Sequence, residues 1–282
     1  MVSTRIKKLF KNILLSISPL YRMTTNMQKQ LDNLREQLEC MQKNIVSVPV
    51  ENDNAYLHAD VPLSTQFRHN NQWEKLFELG NKEGFRILEI GSREVTGERK
   101  EFVRSNLKNA TYIGFDFHPG NNVDVVGDVH KLSKYFKEDE KFDIIFSTAC
   151  FEHFAMPWIA AVEIAKMLKI GGYLMIETHF TFSSHERPWH FFQFSDMALK
   201  VLFSSALGFE CIEAGVSNPI VGRFSSLADE YLRYKPVTGL YCHVEYFGRK
   251  INEVNNFCWE EINLNEIVGE TKYPEPLKID RE

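Results

Sequence analysis

The chain has 282 residues, of which 44% are hydrophobic, a length that suits one large domain or a domain with an appendage. Its formal net charge of −5 gives no overall basic character, which argues against nucleic acid as the partner. The five cysteines are scattered, and none forms a CxxC motif or pairs with a nearby histidine as in a zinc site. A reduced, cytoplasmic protein is the simplest expectation.

The N-terminal segment differs from the rest of the chain in charge. Residues 1–22 contain five basic side chains and no acidic one, and residues 5–18 have the pattern of a basic amphipathic helix that ends at Pro19. The longest apolar run in this segment, at residues 13–17, is far shorter than the roughly 20 residues that span a bilayer. The pattern therefore predicts peripheral contact with an anionic membrane, at its inner face.

Apolar residues repeat with heptad spacing in the next segment, residues 23–47. They are Met27, Leu31, Leu34, Leu38, Met41 and Ile45. Polar and charged residues fill the positions between them, as at the flanks of a coiled-coil seam. This pattern predicts a coiled coil that joins chains into a homo-oligomer, and the alternative is a single amphipathic helix packed on its own domain. Residues 48–63, which include Pro49 and a polar stretch, are the predicted linker.

From residue 64 onward, helix-like and strand-like segments alternate. Helices are predicted at residues 67–79, 94–107 and 158–168. Strands are predicted at residues 86–90, 111–116, 123–126, 142–147 and 173–177. Apolar strands separated by helices indicate a parallel sheet that is covered on both faces. The predicted fold is therefore a doubly wound α/β domain, which binds its ligands at the carboxyl ends of the strands.

Distinctive residues follow the predicted strands at that edge of the sheet. Gly91 follows the first strand, where glycine lets the backbone turn sharply and the next helix offers free N–H groups. Asp116 ends the second strand, where a carboxylate suits a ribose diol, and Asp128 after the third could accept from an adenine amino group. Cys150 and His153 follow the fourth strand. A strand-end aspartate is also an ordinary turn or cap residue, so the argument depends on the order of these residues along the chain.

Residues 85–178 resemble the class I S-adenosylmethionine-dependent methyltransferases, with type-11-like and surface-glycan enzymes as the most similar members. Three stretches carry the resemblance to the family's LEH…E…LKPGG signature, namely 151–153 (FEH), 161–164 (AVEI) and 167–172 (MLKIGG). The resemblance implies a Rossmann-like, seven-stranded, mostly parallel sheet, with its last two strands at residues 209–216 and 242–250. The methyltransferase domain would then span residues 64–252 and precede a C-terminal extension at 253–282.

The resemblance also implies a cofactor, S-adenosyl-L-methionine, at the strand ends. Its implied binding residues are Glu89, Gly91, Ser92, Asp116, Asp128, Val129, Ala149 and Cys150. The family's first motif usually reads E-x-G-x-G, whereas Ser92-Arg93 replaces the second x-G pair here and Gly97 offers a later turn. We interpret this as a remodelled but functional cofactor site, and the alternative is a catalytically silent relative that acts as a coiled-coil scaffold.

Histidines and aromatic residues are the candidates for binding and activating the methyl acceptor. A hydroxyl acceptor gains from a general base, for which the candidates are His153, His179, His185 and His190. His153 and His179 are favoured, because both follow strands whose ends face the cleft. The stretch at 185–194, HERPWHFFQF, predicts an aromatic wall with substrate contacts at Arg187, Trp189 and His190, and the alternative is that its aromatic residues cover the edge of the sheet. No ligand spacing argues for a metal. The resulting hypothesis is O-methylation of a glycan or glycolipid in polysaccharide biosynthesis, with a small metabolite or lipid quinone as the alternative acceptor.

Overall fold

The computed structural model describes residues 6–9, 23, 26–37, 61–69, 71–95 and 100–268. Residues 1–53 form one compact unit, in which 6–9 and 26–37 are helical, and residues 54–282 form a second. Met27, Leu31 and Leu34 of the predicted heptad are exposed on the helix at 26–37. The other three heptad positions lie outside the described residues, so the coiled coil stays a prediction. No helix in the described ranges is long and apolar enough to cross a bilayer.

The second unit is built on a seven-stranded sheet in the order β3-β2-β1-β4-β5-β9-β6. Its strands are β1 (Arg86–Ile90), β2 (Thr111–Asp116), β3 (Val125–Val126), β4 (Phe142–Thr148), β5 (Leu168–His179), β6 (Phe209–Pro219) and β9 (Tyr241–Lys250). Strands β7 (Gly222–Arg223) and β8 (Pro236–Val237) form a separate antiparallel pair. Strand β9 is antiparallel to both β5 and β6, and the other neighbouring strands are parallel. The mostly parallel sheet predicted from the sequence is confirmed.

Helices and hydrophobic clusters cover this sheet. The helices are α1 (Gln72–Gly80), α2 (Lys100–Asn106), α3 (Pro157–Met167), α4 (Asp196–Leu202) and α5 (Leu264–Val268). Successive strand residues point to opposite faces, so Ile145 packs in the larger cluster while Ile144 and Phe146 pack in the other. Both faces of the sheet are therefore buried, which explains why its central strands are continuous apolar runs.

The structure corrects several of the predicted element boundaries. The first helix of the domain, predicted from residue 67, starts at Gln72, and β6 extends to Pro219 instead of residue 216. The third strand is shorter than predicted, at Val125–Val126, and the fifth begins earlier, because Leu168 pairs with Phe142 before a bulge in the register. The helix predicted to start at residue 94 starts at Lys100. The physical reason is that the Glu94 N–H donates to the carbonyl of Asn121, which holds this part of the chain in a loop.

The outer edge of β6 is covered by residues at the junction of the predicted linker and the predicted domain. Ser64 N–H donates to the Val216 carbonyl and Val216 N–H donates to the Pro62 carbonyl, both at 3.0 Å. These bonds satisfy backbone groups that a bare edge strand would expose. The predicted linker, residues 48–63, thus ends in residues that pair with the sheet.

The chain turns sharply at Gly91, directly after β1. The φ angle there is +83°, and a Cβ atom at this position would lie 2.5 Å from Cys150 Sγ. A side chain is disfavoured by both the backbone conformation and the close contact. Glycine at this position therefore lets the end of β1 approach the residue that follows β4.

Gly91→Ala is expected to lower the free energy of unfolding more than Gly84→Ala does. Gly84 has a φ of +78°, but no described heavy atom lies within 4 Å of a Cβ built there. Its substitution should cost only the backbone strain, about 1–2 kcal/mol. In Gly91→Ala, the overlap of the added methyl group with the neighbouring thiol should cost about 1–3 kcal/mol more. Urea unfolding of both variants measures the difference, and equal losses would contradict the packing role of Gly91.

Candidate functional site

A cavity of about 650 Å³ lies at the carboxyl ends of the parallel strands. Its lining includes Gly91 and Arg93 after β1, Asp116 and Phe117 at the end of β2, Asp128 and Val129 after β3, residues 149, 150 and 152–156 after β4, and His185, Glu186 and Trp189 after β5. This is the edge at which open α/β sheets bind ligands. The volume falls within the range of small-molecule and cofactor pockets.

Asp116 presents its carboxylate to this cavity. The backbone N–H of Arg93 donates to Oδ2 at 3.1 Å, and that of His118 donates to Oδ1 at 2.9 Å. The Arg93 guanidinium Nε lies 3.7 Å from Oδ1. Each carboxylate oxygen can accept more than one hydrogen bond, so both remain available to a ligand. Arg93, which stands where the family has glycine, thus helps to orient the predicted ribose-binding carboxylate.

Asp128 lines the cavity and also caps the turn that follows it. The His130 N–H donates to Oδ1 at 3.0 Å, and His130 Nδ1 lies 2.6 Å from the same oxygen. Because Met156 N–H donates to His130 Nε2, at 3.2 Å, Nδ1 carries the ring proton. Partial burial alone would raise the pKa of Asp128, but the hydrogen bonds from His130 outweigh it and lower that pKa. Hydrogen bonds from His130 therefore occupy one carboxylate oxygen of Asp128, so fewer acceptor positions remain for an adenine amino group.

Two residues predicted to bind the cofactor lie outside the cavity lining. Glu89 is buried, and its carboxylate accepts from the Tyr112 hydroxyl and, at 3.5 Å, from the Asn122 amide. Side chains alternate along a strand, so Ile90 rather than Glu89 lines the cavity. Ser92 is buried beside the turn. Neither Glu89 nor Ser92 belongs to the cavity lining, and their direct contact with the cofactor stays a prediction.

Glu152 is completely buried in the turn after β4, and three imidazoles surround one of its oxygens. Oε1 lies 2.9 Å from His179 Nδ1, 3.8 Å from His153 Nε2 and 4.0 Å from His185 Nε2. Oε2 accepts from the Thr178 hydroxyl at 2.6 Å. Burial alone would raise the pKa of Glu152, but the closeness of His179 and the Thr178 hydroxyl outweighs it. The pKa is lowered, so this buried carboxylate carries a negative charge at neutral pH.

The predicted catalytic and substrate residues differ in their access to the cavity. His153 lines the cavity, whereas His179 is buried behind Glu152 and stacks on Phe182, with ring centroids 4.5 Å apart. Trp189 of the predicted aromatic wall also lines the cavity. The exposed Arg187 and the half-buried His190 lie on the same loop, outside the lining.

A second polar cluster lies on β5 and β9, outside the cavity lining. His69 Nδ1 is 2.5 Å from Glu177 Oε2, and the His69 ring stacks on that of His243 at 4.8 Å. His243 is paired with His179 across the two strands. Glu245 is buried nearby, and burial raises its pKa to about 8. The sequence named His185 as a candidate base and Glu152 within the FEH stretch, but it grouped neither cluster, because strand pairing and the loop after β5 assemble both from distant segments.

A family model described as a methyltransferase domain matches residues 94–176, from the loop after Gly91 into β5. Solved structures with a similar chain trace include YcgJ from Bacillus subtilis (16% identity, TM-score 0.44, 65% of this chain and 100% of that chain covered) and an S-adenosylmethionine-dependent methyltransferase from Archaeoglobus fulgidus (16%, 0.44, 65% and 95%). Another is the Burkholderia thailandensis 1,6-didemethyltoxoflavin-N1-methyltransferase with bound 1,6-didemethyltoxoflavin and S-adenosylhomocysteine (12%, 0.45, 77% and 90%). No curated protein matches the chain.

The matched segment contains Asp116, Asp128 and Glu152, which line the cavity at three strand ends. Residues 94–176 therefore match a methyltransferase domain, which supports a methyltransferase with S-adenosylmethionine as the methyl donor. The cavity fits that cofactor, because Gly91 leaves the backbone uncovered and the Asp116 carboxylate faces the interior. The presence of Asp116 and Asp128 in the lining supports an enzyme over the alternative of a catalytically silent scaffold.

Asp116→Ala is expected to weaken S-adenosylhomocysteine binding by about ten- to hundredfold, because charge-assisted hydrogen bonds contribute about 1.5–3 kcal/mol. Calorimetric titration measures the affinity. Asp139→Ala is the matched control, since it removes one exposed carboxylate from the loop before β4 and should bind as the wild type does. If the folded Asp116→Ala variant keeps its affinity, the ribose contact is excluded.

Proposed function

We propose that this methyltransferase transfers the methyl group of its cofactor to a hydroxyl of a glycan or glycolipid. The observation that carries the proposal is that His153 and two exposed aromatic rings lie at the same cavity. The rings of Phe117 and Trp189 are 5.7 Å apart, and each side chain is 53% exposed. An exposed ring buries the apolar face of a sugar, while the sugar hydroxyls need hydrogen-bonding partners such as His153 and Glu186.

The cofactor would occupy the part of the cavity formed by β1, β2 and β4. Its proposed contacts are the cavity-lining members of the predicted set, namely Gly91, Asp116, Asp128, Val129, Ala149 and Cys150. When bound, S-adenosylmethionine supplies a methyl carbon that leaves sulfur as the acceptor oxygen bonds to it, and the electron pair of the broken bond stays on sulfur. The protein has to hold the acceptor in line and keep water out.

His153 is the proposed general base. Its Nδ1 lies 2.7 Å from the carbonyl oxygen of Trp189. A carbonyl only accepts, so Nδ1 carries the proton and Nε2 is the atom that can take one from the acceptor hydroxyl. Nε2 lies 3.8 Å from carboxylate oxygens of both Glu152 and Glu186. Their negative charge would stabilise the imidazolium that forms.

His153→Ala is expected to lower methyl transfer by about 10²–10⁴-fold, the usual contribution of a general base. Its affinity for S-adenosylhomocysteine should stay close to that of the wild type. His243→Ala, which removes a histidine outside the cavity lining, is the control and should retain turnover. Near-normal turnover of His153→Ala would exclude the base role and make His179→Ala the next variant to measure.

The acceptor class is tested with tritium-labelled S-adenosylmethionine and three separate acceptor sets. They are a glycolipid and polysaccharide fraction, lipid quinones, and hydroxylated small metabolites. Label in the first set that depends on His153 supports the proposal. Label confined to quinones or small metabolites would overturn the acceptor assignment and leave the methyltransferase activity unaffected.

We further propose that residues 1–47 join chains together and hold them at anionic membranes. Lys7 and Lys8 are in the short described helical stretch at 6–9, and Ile6 and Leu9 there are exposed. Each basic residue near such a surface contributes about 1 kcal/mol, so a single helix binds weakly. Joining two or three helices through the predicted coiled coil would raise binding by about 10²–10⁴-fold through avidity.

Two variants separate membrane contact from assembly. A variant lacking residues 1–22 should stay oligomeric in sedimentation but fail to float with anionic liposomes. The double substitution Leu34→Asp and Leu38→Asp should give a monomer that floats poorly, because charges in a coiled-coil seam destabilise it. A wild-type protein that never floats would exclude the membrane contact, and a monomeric wild type would exclude the coiled coil.

A further inference from the structure

The Oε1 atom of Glu152 is buried without a hydrogen-bond partner in the described part of the chain. His179 Nδ1, 2.9 Å away, also lacks a hydrogen bond among these residues, so the two atoms are close without being directed at each other. A buried carboxylate oxygen in this situation is costly, because burial removes its water and no well-directed donor replaces it. The arrangement calls for a cation between Glu152 and its neighbours.

The protonation of His185 points in the same direction. Its Nδ1 lies 2.9 Å from the carbonyl oxygen of Ser183, which can only accept, so Nδ1 carries the proton. The unprotonated Nε2 then lies 4.0 Å from Glu152 Oε1. In the neutral imidazole, this nitrogen carries the electron pair that can bind a metal ion. A metal-binding histidine usually donates the N–H of its other ring nitrogen to a group such as a backbone carbonyl, as His185 does.

The spacing of the three groups suits a single ion. One ligand atom from each of Glu152, His179 and His185 lies within 4.8 Å of the other two. Metal bonds of about 2.0–2.2 Å place the ligands of one ion about 3–3.5 Å apart, so a contraction of the widest spacing by up to about 1–2 Å would complete the site. Glu152 and His185 also line the cavity, which leaves the remaining coordination positions on the side of the acceptor.

We propose that Glu152, His179 and His185 bind a divalent transition-metal ion, of the class of zinc, manganese or iron. Two histidines and one carboxylate leave positions open for an exchangeable ligand. The use of the ion rests on the proposed function: an acceptor hydroxyl bound to it would have a lowered pKa, and its proton would pass to Nε2 of the adjacent His153. Binding of the ion itself does not depend on the identity of the acceptor.

The cluster on β5 and β9 is the weaker candidate for the same ion. His69 Nδ1 is already paired with Glu177 at 2.5 Å, and His243 Nδ1 lies 2.8 Å from the side-chain amide nitrogen of Asn218. The amide nitrogen donates, so it occupies the electron pair that a metal would need on that imidazole atom. His243 therefore provides a matched control for His185.

The test is metal binding by the full-length protein, without a histidine tag and stripped with a chelator. Calorimetric titration with MnCl₂ and with ZnCl₂, followed by mass-spectrometric metal analysis after gel filtration, gives affinity and stoichiometry. Manganese is included because it prefers oxygen and imidazole to the free thiols of the chain. The wild type should bind one ion per chain, and Glu152→Gln and His185→Ala should weaken binding about hundredfold or more. His243→Ala should bind as the wild type does.

Three outcomes would overturn the proposal. They are no stoichiometric binding by the wild type, equal binding by all variants, and loss of binding in His243→Ala with retention in His185→Ala, which would assign the ion to the other cluster. Thermal unfolding checks that each variant folds. If Glu152→Gln does not fold, the half-buried His185 on its loop decides the question. No methyl donor or acceptor is present in these titrations, so a wrong acceptor assignment cannot produce a negative result.

Discussion

The parallel pairing of β1 with β4 is the constraint on which the site depends. Ile90 is paired with Ser147, whose hydroxyl donates to the Ile90 carbonyl at 2.9 Å. The register brings both strands to an end at the same level, where Gly91 contacts Cys150 without a side chain between them. This contact fixes the start of the loop after β4, and Glu152 follows within it. The contact between Gly91 and Cys150 therefore positions both the cofactor cavity and the carboxylate–imidazole cluster.

The altered first motif, in which Arg93 replaces a glycine, is compatible with the contact between Gly91 and Cys150. A second glycine after β1 would leave space near the cofactor, whereas Arg93 fills it and donates its backbone N–H to Asp116. The turn itself needs only Gly91, because that residue alone of the two has the left-handed conformation, with a φ of +83°. Replacing the second glycine therefore changes the rim of the cavity and leaves the strand ends where they are.

The cluster around Glu152 is costly for the stability of the fold. A buried carboxylate and a buried imidazole lose hydration that only charge pairing, hydrogen bonds or a bound cation can replace. Thr178 and His179 at the end of β5 provide part of that compensation for Glu152. Concentrating unsatisfied polar groups beside a cavity is typical of functional sites, where binding a ligand or moving a proton completes the arrangement.

The sequence by itself determined the strands and the order of the residues at their ends. Those features are local: apolar runs predict buried strands, and parallel strands bring their carboxyl ends to one edge, so Gly91, Asp116, Asp128 and Cys150 line the cavity as expected. Only the tertiary structure decided which side chains face inward. Whether Glu89 or Ile90 lines the cavity depends on the register of β1, which a pattern read one strand at a time cannot specify.

The carboxylate–imidazole clusters were decided in the same way, by pairings between distant segments. Glu152 and His179 meet because the end of β5 lies beside the loop after β4, and His185 joins them through the loop that follows. The antiparallel β9 brings His243 next to His179 across 64 residues of chain. Spacing along the sequence does not predict such neighbours. The distance between two residues in space is set by the sheet and not by the number of residues between them in the chain.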